Sequence, residues 1–175
     1  MPLTRGIFYR IKPTMVQHKL EFDYEVYDDS KELSKEDAEL LAKARAATKL
    51  AYAPYSNFFV GAAARLKNGE IVIGTNQENA SYPVGTCAER VLLGTTANLY
   101  PGIGIDTMAV SFDSKQEKSD HPISPCGMCR QALLEYENRT SQPIRLILSG
   151  QKGKVQIVHT VAHLLPFAFT SSELL

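Results

Sequence analysis

Apolar residues recur along the chain with helical spacing in some segments and with strand spacing in others. From Leu40 to Ala51 they repeat at helical intervals, Ser34 and Asp37 precede them as a loose capping pattern, and Pro54 ends the helix. The pattern predicts two further long helices, at about 86–97 and 126–136, and a short closing helix at about 161–165. Strands are predicted at 58–66, 70–74, 105–112, 144–148 and 155–159, with Asn68-Gly69 as a hairpin turn between the first two.

This order of elements predicts an α/β fold, a three-layer α/β/α sandwich around a five-stranded mixed sheet. Strands four and five, at 144–148 and 155–159, are joined only by residues 149–154. Because parallel neighbours need a crossover of about a dozen residues, these two strands should be antiparallel. Residues 20–27 alternate apolar and acidic side chains, which predicts an edge strand or an extended arm. We therefore expect an N-terminal extension or arm at residues 1–33 and one main domain at residues 34–175.

Composition and charge restrict the classes of function. The 175 residues are 44% hydrophobic, which suffices for one core, and 19 Lys and Arg balance 19 Asp and Glu. The resulting net charge of zero argues mildly against a nucleic-acid substrate, because phosphate contacts usually need a basic surface. No apolar run approaches the ~18 residues of a membrane span, and the start of the chain lacks the apolar region of a signal peptide. Three cysteines, an odd number, do not indicate a disulfide framework, so a reducing, cytoplasmic location is expected.

Residues 1–20 contain no acidic side chain but include the basic residues Arg5, Arg10, Lys12 and Lys19. This composition loosely resembles an organelle-targeting segment. Short acid-free windows are common, however, so the favoured interpretations are an ordinary surface extension or a true start at Met15.

Two short segments carry the candidate chemistry: Thr86-Cys87-Ala88-Glu89-Arg90 and Pro125-Cys126-Gly127-Met128-Cys129-Arg130-Gln131. Cys126 and Cys129 are spaced so that both thiolates can hold one metal ion from the first turn of a helix, whose positive end favours thiolate over thiol. Thr86 is predicted to cap the other helix, which places Cys87 equally early in it and Glu89 at its third position. Two helix N-termini thus bring together three soft ligands, which suit zinc.

The number of ligands distinguishes a catalytic site from a structural one. Structural zinc sites are normally closed by four protein ligands, whereas catalytic sites keep one position for water. Zinc lowers the pKa of that water to about 7, and Glu89 is close enough along the chain to accept its proton and pass it to a substrate. The alternative is a structural site in which His121, His159 or His163 supplies the fourth ligand.

Together the two segments resemble the cytidine deaminase family, in its short-chain form with three cysteine ligands. The resemblance extends to residues 55–63 (YSNFFVGAA), to residues 76–83 (NQENASYP), and to Leu164-Leu165-Pro166 with Phe169, so that it covers about residues 36–175. It implies the cytidine deaminase-like fold and a zinc-dependent deaminase domain at residues 34–175. It also implies one Zn²⁺ per chain, bound by Cys87, Cys126 and Cys129.

The resemblance further implies the reaction. The family hydrolyses cytidine and deoxycytidine to uridine and deoxyuridine with release of ammonia, a step of pyrimidine salvage. Zinc-bound hydroxide attacks C4, while Glu89 protonates N3 and then moves the remaining proton so that ammonia leaves. A small nucleoside is therefore the expected substrate, in a homotetramer whose active sites borrow residues across subunits. No nucleic-acid or membrane partner is expected.

The resemblance assigns the substrate contacts to matching positions. Asn76 and Glu78 correspond to a ribose clamp, and an amide and a carboxylate two residues apart at a strand end do face the same way. Phe58 corresponds to an aromatic residue that lines the pyrimidine pocket. Phe169 corresponds to one that covers the base, often from a neighbouring subunit.

Three further positions complete the implied site. Ala88 offers a backbone N–H to the base, and Pro125 offers its carbonyl to the exocyclic amine. Arg90 hydrogen-bonds the thiolate sulfurs and draws off part of their negative charge, which would otherwise make the zinc a weaker Lewis acid.

Two other classes of deaminase are alternatives. Enzymes that act on blasticidin S share the three-cysteine site, and residues 91–95 (VLLGT) resemble that group, but the Asn-x-Glu-Asn pattern at 76–79 favours a nucleoside sugar. Polynucleotide deaminases lack this clamp, and a helix links their parallel fourth and fifth strands. The short link at 149–154 disfavours them.

Overall fold

The computed structural model of the chain describes residues 15–174, and predictions about residues 1–14, among them most of the acid-free stretch, lie outside the described residues. The strands are β1 (Tyr24–Tyr27), β2 (Phe58–Leu66), β3 (Ile71–Thr75), β4 (Ile105–Ser114), β5 (Arg145–Gly150) and β6 (Val155–Val158). The long helices are α1 (Lys35–Ala47), α2 (Ala88–Leu99) and α3 (Gly127–Thr140). The predicted closing helix is a short 3-10 helix at Val161–Leu164.

The described strands form one mixed sheet in the order β1-β6-β5-β4-β2-β3. β5 and β6 are antiparallel, which confirms the prediction for the strands at 144–148 and 155–159, and β4 runs parallel to β5. The prediction of five strands is wrong, because β1 joins the sheet as a sixth strand with Tyr24 opposite Val158. An open edge of β6 would present unpaired backbone groups, and β1 covers it. The alternating segment at 20–27 therefore contains an edge strand.

Two hydrophobic clusters, one on each face of the sheet, give the molecule three layers. Alternate residues of a strand point to opposite faces, so neighbouring positions of β2 serve different clusters. On one face α1 packs against the sheet, in a cluster that includes Leu40, Leu41, Ala44, Ala63, Ala109 and Ile147. On the other face α2 and α3 pack against it, in a cluster that includes Leu92, Leu93, Leu133, Leu134, Ala62, Ala64 and Val110. The predicted α/β/α arrangement is confirmed.

Gly74 lets α2 approach β3 closely. A Cβ atom at this position would lie 2.5 Å from the carbonyl oxygen of Ala88 and 2.5 Å from the backbone nitrogen of Leu92. Contacts this short do not occur in folded proteins, so only glycine admits this packing. The first turn of α2 is therefore fixed against the sheet by direct backbone contact.

The start of α2 differs from the prediction by one residue. The helix begins at Ala88 with Cys87 as its N-cap residue, so the predicted cap at Thr86 is wrong, and Glu89 is the second helical residue instead of the third. Thr86 is held in an extended conformation because it exchanges two backbone hydrogen bonds, each of 2.9 Å, with Gln77.

The end of α3 also lies later than predicted. The helix continues to Thr140 instead of ending before Asn138, and it stops at Ser141, which adopts the left-handed conformation with φ of 50°. Across residues 15–174, no helix combines the length and the apolar character that crossing a membrane requires.

Candidate metal centre and active site

The three cysteines meet where the N-termini of α2 and α3 come together. Cys87 and Cys126 are the N-cap residues of these helices, and Cys129 lies in the first turn of α3. Their three Sγ atoms all lie within 4.8 Å of one another, and Sγ of Cys87 is 3.8 Å from Sγ of Cys126. Two thiolates that bind one tetrahedral zinc ion at ~2.3 Å are separated by about 3.8 Å. The residues present therefore fit a zinc ion.

The N-cap positions leave both sulfur atoms free for a ligand. Ser or Thr at an N-cap usually accepts a hydrogen bond from the helix backbone, but neither Cys87 nor Cys126 makes such a bond. The positive ends of two helices point into the same space, which stabilises negative sulfur. Cys126 is exposed, Cys87 is half-buried and Cys129 is buried, so the centre opens to one side.

The thiols influence each other's ionisation. A hydrogen bond from Cys129 lowers the pKa of Cys87 to about 6, helped by Cys126 and by the charge of Arg90, against opposing effects of burial and of Glu89. The pKa of Cys129 is raised, because it donates to Cys87 and is buried. Cys87 thus loses its proton more easily than an ordinary thiol, and Cys129 less easily. A bound cation would favour the loss of the remaining protons.

Glu89 is buried beside the three sulfurs, with 5% of its surface exposed. Burial raises the pKa of this carboxyl, against smaller lowering effects of hydrogen bonds from its own backbone N–H and from Cys129. Within the described part of the chain, the cluster of mutually close candidate ligands contains the three thiols alone, without Glu89 or the histidines. This geometry favours an ion with an open position over a closed structural site.

A cavity of about 400 Å³ extends outward from the metal centre. This volume lies within the ~300–1,000 Å³ typical of small-molecule sites. Of the residues predicted from the sequence, those lining it are Phe58, Asn76, Glu78, Cys87, Ala88, Glu89 and Cys126. Lining residues that the sequence reasoning missed are Ser56, Val60, Ile123 and Ser124. Ser56 lies inside the 55–63 motif and Ser124 precedes Pro125, so their position within or next to these motifs is the sequence feature that could have indicated them.

The Asn76 side chain is bonded at both ends to the start of β2. Its Oδ1 accepts from the backbone nitrogen of Val60 at 2.7 Å, and its Nδ2 donates to the carbonyl of Phe58 at 2.9 Å. The amide is therefore held in one orientation at the cavity wall. Its second N–H and its second lone pair remain available for another hydrogen bond.

The Glu78 carboxylate organises the turn before β2. It accepts hydrogen bonds from the backbone N–H groups of Tyr55, at 2.9 Å, and Ser56, at 3.3 Å, and from the Ser56 hydroxyl. Burial acts to raise the pKa of Glu78, but these three hydrogen bonds outweigh it and lower the pKa. Glu78 thus stays ionised and shapes the outer end of the cavity.

Phe58 is supported from behind by other aromatic rings. It stacks on the buried Phe112 with ring centroids 4.9 Å apart and an interplanar angle of 15°. Phe112 in turn packs against His121 in a T-shaped arrangement, with ring centroids 5.1 Å apart. This stack fixes Phe58 as a flat wall of the cavity.

Four predicted site residues do not line the cavity: the buried metal ligand Cys129, and Pro125, Arg90 and Phe169. Pro125 is buried, and its carbonyl accepts a hydrogen bond of 2.8 Å from Nε of Arg130. Phe169 is 59% exposed. Among the described residues Arg90 makes no hydrogen bond to a cysteine sulfur, although its charge lowers the pKa of Cys87. The assigned roles of these residues stay predictions.

Comparison with known proteins assigns this site to a family. Residues 34–142 match the family model described as the cytidine and deoxycytidylate deaminase zinc-binding region. A cytidine deaminase from Halalkalibacterium halodurans is 36% identical over 135 residues, which are 77% of this chain and 95% of that protein. The chain belongs to the cytidine deaminase family. The family match begins at Ser34, the N-cap residue of α1.

Solved structures and a second kind of relative agree with membership of the cytidine deaminase family. The crystal structure of the cytidine deaminase from Burkholderia pseudomallei superimposes with a TM-score of 0.65 at 37% identity, covering 78% of this chain and all of that one. A blasticidin-S deaminase from Bacillus cereus is 29% identical over 140 residues, which are 79% of this chain and 95% of that protein.

Proposed function

We propose that the protein hydrolyses cytidine and deoxycytidine to uridine and deoxyuridine with release of ammonia, using one zinc ion per chain. The observation that carries the proposal is the buried carboxylate of Glu89 in the same cavity as the candidate metal ligands Cys87 and Cys126. The relatives named cytidine deaminase, which match most of the chain, support the choice of substrate.

Glu89 would move the protons of this reaction. Zinc held by the three thiolates would supply a water whose pKa is lowered to about 7. Glu89 takes the proton of the attacking water and delivers it to N3 of the cytosine ring, which makes C4 a better electrophile. The same carboxyl then carries the second proton of that water, from the new hydroxyl on C4, to the exocyclic amine, so that the C4–N bond breaks and ammonia leaves. The raised pKa of Glu89 suits this use, because its carboxylate is a stronger base than an ordinary one and takes up the proton of the water more readily.

The remaining cavity residues would hold the nucleoside. Asn76 and Glu78 contact the sugar hydroxyls at the outer end, and the ring of Phe58 packs against the pyrimidine. Ala88 is the first residue of α2, where backbone N–H groups have no partner within the helix, so its N–H is available to the base. The Pro125 carbonyl receives the exocyclic amine, and Arg90 tempers the charge of the thiolates.

We also propose a homotetramer with shared active sites and a role in cytoplasmic pyrimidine salvage. Phe169 leaves 59% of its surface exposed and does not line the cavity of its own chain, which supports a role over the base in a neighbouring subunit. Light scattering after gel filtration is expected to give four times the chain mass of 19.4 kDa. A monomer with full activity would contradict the shared site.

A deaminase of blasticidin S is the second candidate, favoured by the similarity to the Bacillus cereus protein. The ordered amide of Asn76 and the ionised Glu78 argue for a sugar bearing hydroxyl groups, which makes this candidate the weaker one.

The decisive test measures the loss of ultraviolet absorbance when the zinc-loaded protein is added to cytidine, deoxycytidine or blasticidin S. We expect turnover of both nucleosides, one zinc per chain, and no comparable turnover of blasticidin S. Turnover of blasticidin S alone would select the second candidate. Bound zinc without turnover of any of the three compounds would contradict both.

A further inference from the structure

Residues 164–169, here called the C-terminal segment, cross the first turn of α3 beside the metal centre. The carbonyl of Leu164 accepts a hydrogen bond of 3.1 Å from the Arg130 guanidinium. The carbonyl of Phe169 accepts one of 2.9 Å from Nε2 of Gln131. The two donors are the first and second residues after the candidate ligand Cys129. The two ends of the segment are thus tied to the helix turn that carries the metal centre.

Arg130 links the segment to the loop that precedes α3. While one of its terminal nitrogens bonds Leu164, its Nε donates to the Pro125 carbonyl at 2.8 Å. A guanidinium is planar, so its donors keep a fixed relative geometry. The backbone on the N-terminal side of Cys126 and the start of the C-terminal segment are therefore held at a fixed distance from each other.

The N-terminal arm supports the segment from the outer side. β1 lies along β6, and Glu25 pairs with His159 at 3.2 Å. Further out, the ring of Phe22 stacks on His163 with centroids 5.2 Å apart and an interplanar angle of 26°. His163 belongs to the 3-10 helix that ends at Leu164, where the C-terminal segment begins. The arm thus braces the point from which the segment leaves the sheet.

Side-chain burial does not orient the aromatic residues of this segment. Phe167 is fully exposed, with φ of 56°, and Phe169 is 59% exposed. A ring that is not packed into its own core takes its direction from the backbone that carries it. The hydrogen bond from Gln131 to the Phe169 carbonyl, and the stack of Phe22 on His163 just before the segment, therefore set where Phe169 points.

We propose that Gln131 and Phe22 are positioning residues that hold the C-terminal segment so that Phe169 meets the bound pyrimidine. This inference rests on the proposed function, and it gives the N-terminal arm a role in substrate binding. Neither residue touches the substrate, because both act through the segment.

The test uses the single variants Gln131→Met, Phe22→Ala and Phe169→Ala. It also uses the two double variants that combine Phe169→Ala with Gln131→Met or with Phe22→Ala. Matched controls are Asn138→Ala, an exposed residue of α3, and Leu20→Ala, an arm residue that is 61% exposed. Hydrogen–deuterium exchange of peptides covering residues 161–174 reads the docking of the segment without depending on turnover. Steady-state kinetics with cytidine measures how docking of the segment affects KM and kcat, and zinc content shows whether the metal centre is intact.

Each positioning variant is expected to speed exchange in residues 161–174, and the controls are not. KM for cytidine should rise about threefold to tenfold, the scale of one lost hydrogen bond, with kcat within about twofold and zinc unchanged. In the Phe169→Ala background neither variant should raise KM further. Unchanged exchange, or a KM increase that persists without the Phe169 ring, would overturn the proposal. Failure of the unchanged protein to deaminate cytidine would instead overturn the proposed function, and exchange would still report on the segment.

Discussion

Two carboxylates line opposite ends of one cavity, and their surroundings shift their pKa values in opposite directions. Glu89 at the inner end is buried beside three thiols, and burial raises its pKa. Glu78 at the outer end is accessible and accepts three hydrogen bonds, which outweigh burial and lower its pKa. The same functional group is thus suited to proton transfer at one end and to a permanent negative charge at the other.

The two ends also differ in how the backbone holds them. The inner end is built on the N-termini of α2 and α3, and α2 is pressed against β3 at Gly74. The outer end is a turn whose N–H groups are gathered by Glu78 itself. Substitutions at the inner end should therefore affect chemistry and metal binding, whereas those at the outer end should affect affinity for the nucleoside.

The largest effect is expected for Glu89→Gln, which keeps the shape of the side chain and removes its proton transfer. The rate constant kcat for cytidine should fall by about 10²–10⁴-fold, with zinc content unchanged. Glu39→Gln, at an exposed position of α1, is the control and should keep full activity. A Glu89→Gln protein with a near-normal rate would remove this carboxyl from the mechanism.

Gly74→Ala tests whether the close approach of α2 holds the inner end together. The added Cβ would lie 2.5 Å from the backbone of Ala88, so α2 must shift, which should cost about 1–3 kcal/mol of unfolding free energy. Gly94→Ala in the same helix is the matched control, because its Cβ would meet nothing within 4 Å. The control should be neutral or stabilise the helix by up to about 1 kcal/mol. Urea denaturation compares the two, and equal stabilities would contradict the packing argument.

Comparison of the single variants Glu78→Gln and Ser56→Ala separates two roles of the Glu78 carboxylate: binding the sugar and holding the turn before β2. If Glu78 contacts the sugar as well as the turn, its loss should raise KM for cytidine about tenfold or more, and the loss of the Ser56 hydroxyl only a few-fold. Comparison of kcat should show little change in either variant. Equal KM values for the two variants would mean that Glu78 acts through the turn alone.

The inner end could be predicted from the sequence because its constraints are local. Cys126 and Cys129 lie within one helical turn, and Glu89 follows Cys87 by two residues, so spacing predicts each half of the site, while the family resemblance implies that the two halves meet. The predicted cap at Thr86 is wrong because N-cap propensity favours Thr over Cys. The bridge to Gln77 overrides the propensity, and no local pattern reports it.

The outer end and the sheet edge depend on contacts between distant residues. Ser56 and Ser124 enter the cavity because a turn and a loop from different parts of the chain meet there. The alternation at 20–27 predicted a strand or an arm, but its partner β6 lies more than a hundred residues later. Whether β1 pairs with β6 depends on which edge of the sheet stays open, and the local sequence pattern therefore does not predict the sixth strand.

The smallest expected effect is a pH dependence of stability that arises from Glu78. Its folded-state pKa is lowered below the ordinary value of 4.5, so its hydrogen bonds stabilise the protein fully above that pH. The contribution is lost as the pH falls through the folded pKa, because the carboxyl becomes protonated. The difference in Tm between the unchanged protein and Glu78→Gln should therefore stay constant from pH 8 to about 5 and shrink below about 4.5.

Glu39→Gln is the control and is measured across the same pH range. It shows how the loss of one exposed negative charge changes Tm when the turn before β2 is left intact. If the Tm difference between the unchanged protein and Glu78→Gln instead grew as the pH fell, the fold would stabilise the protonated form of the Glu78 carboxyl. Glu78 would then resemble Glu89, and the contrast between the two ends of the cavity would fail. A difference that shrinks at low pH for Glu78→Gln, beyond the change seen in the control, would locate the permanent charge at the outer end of the cavity.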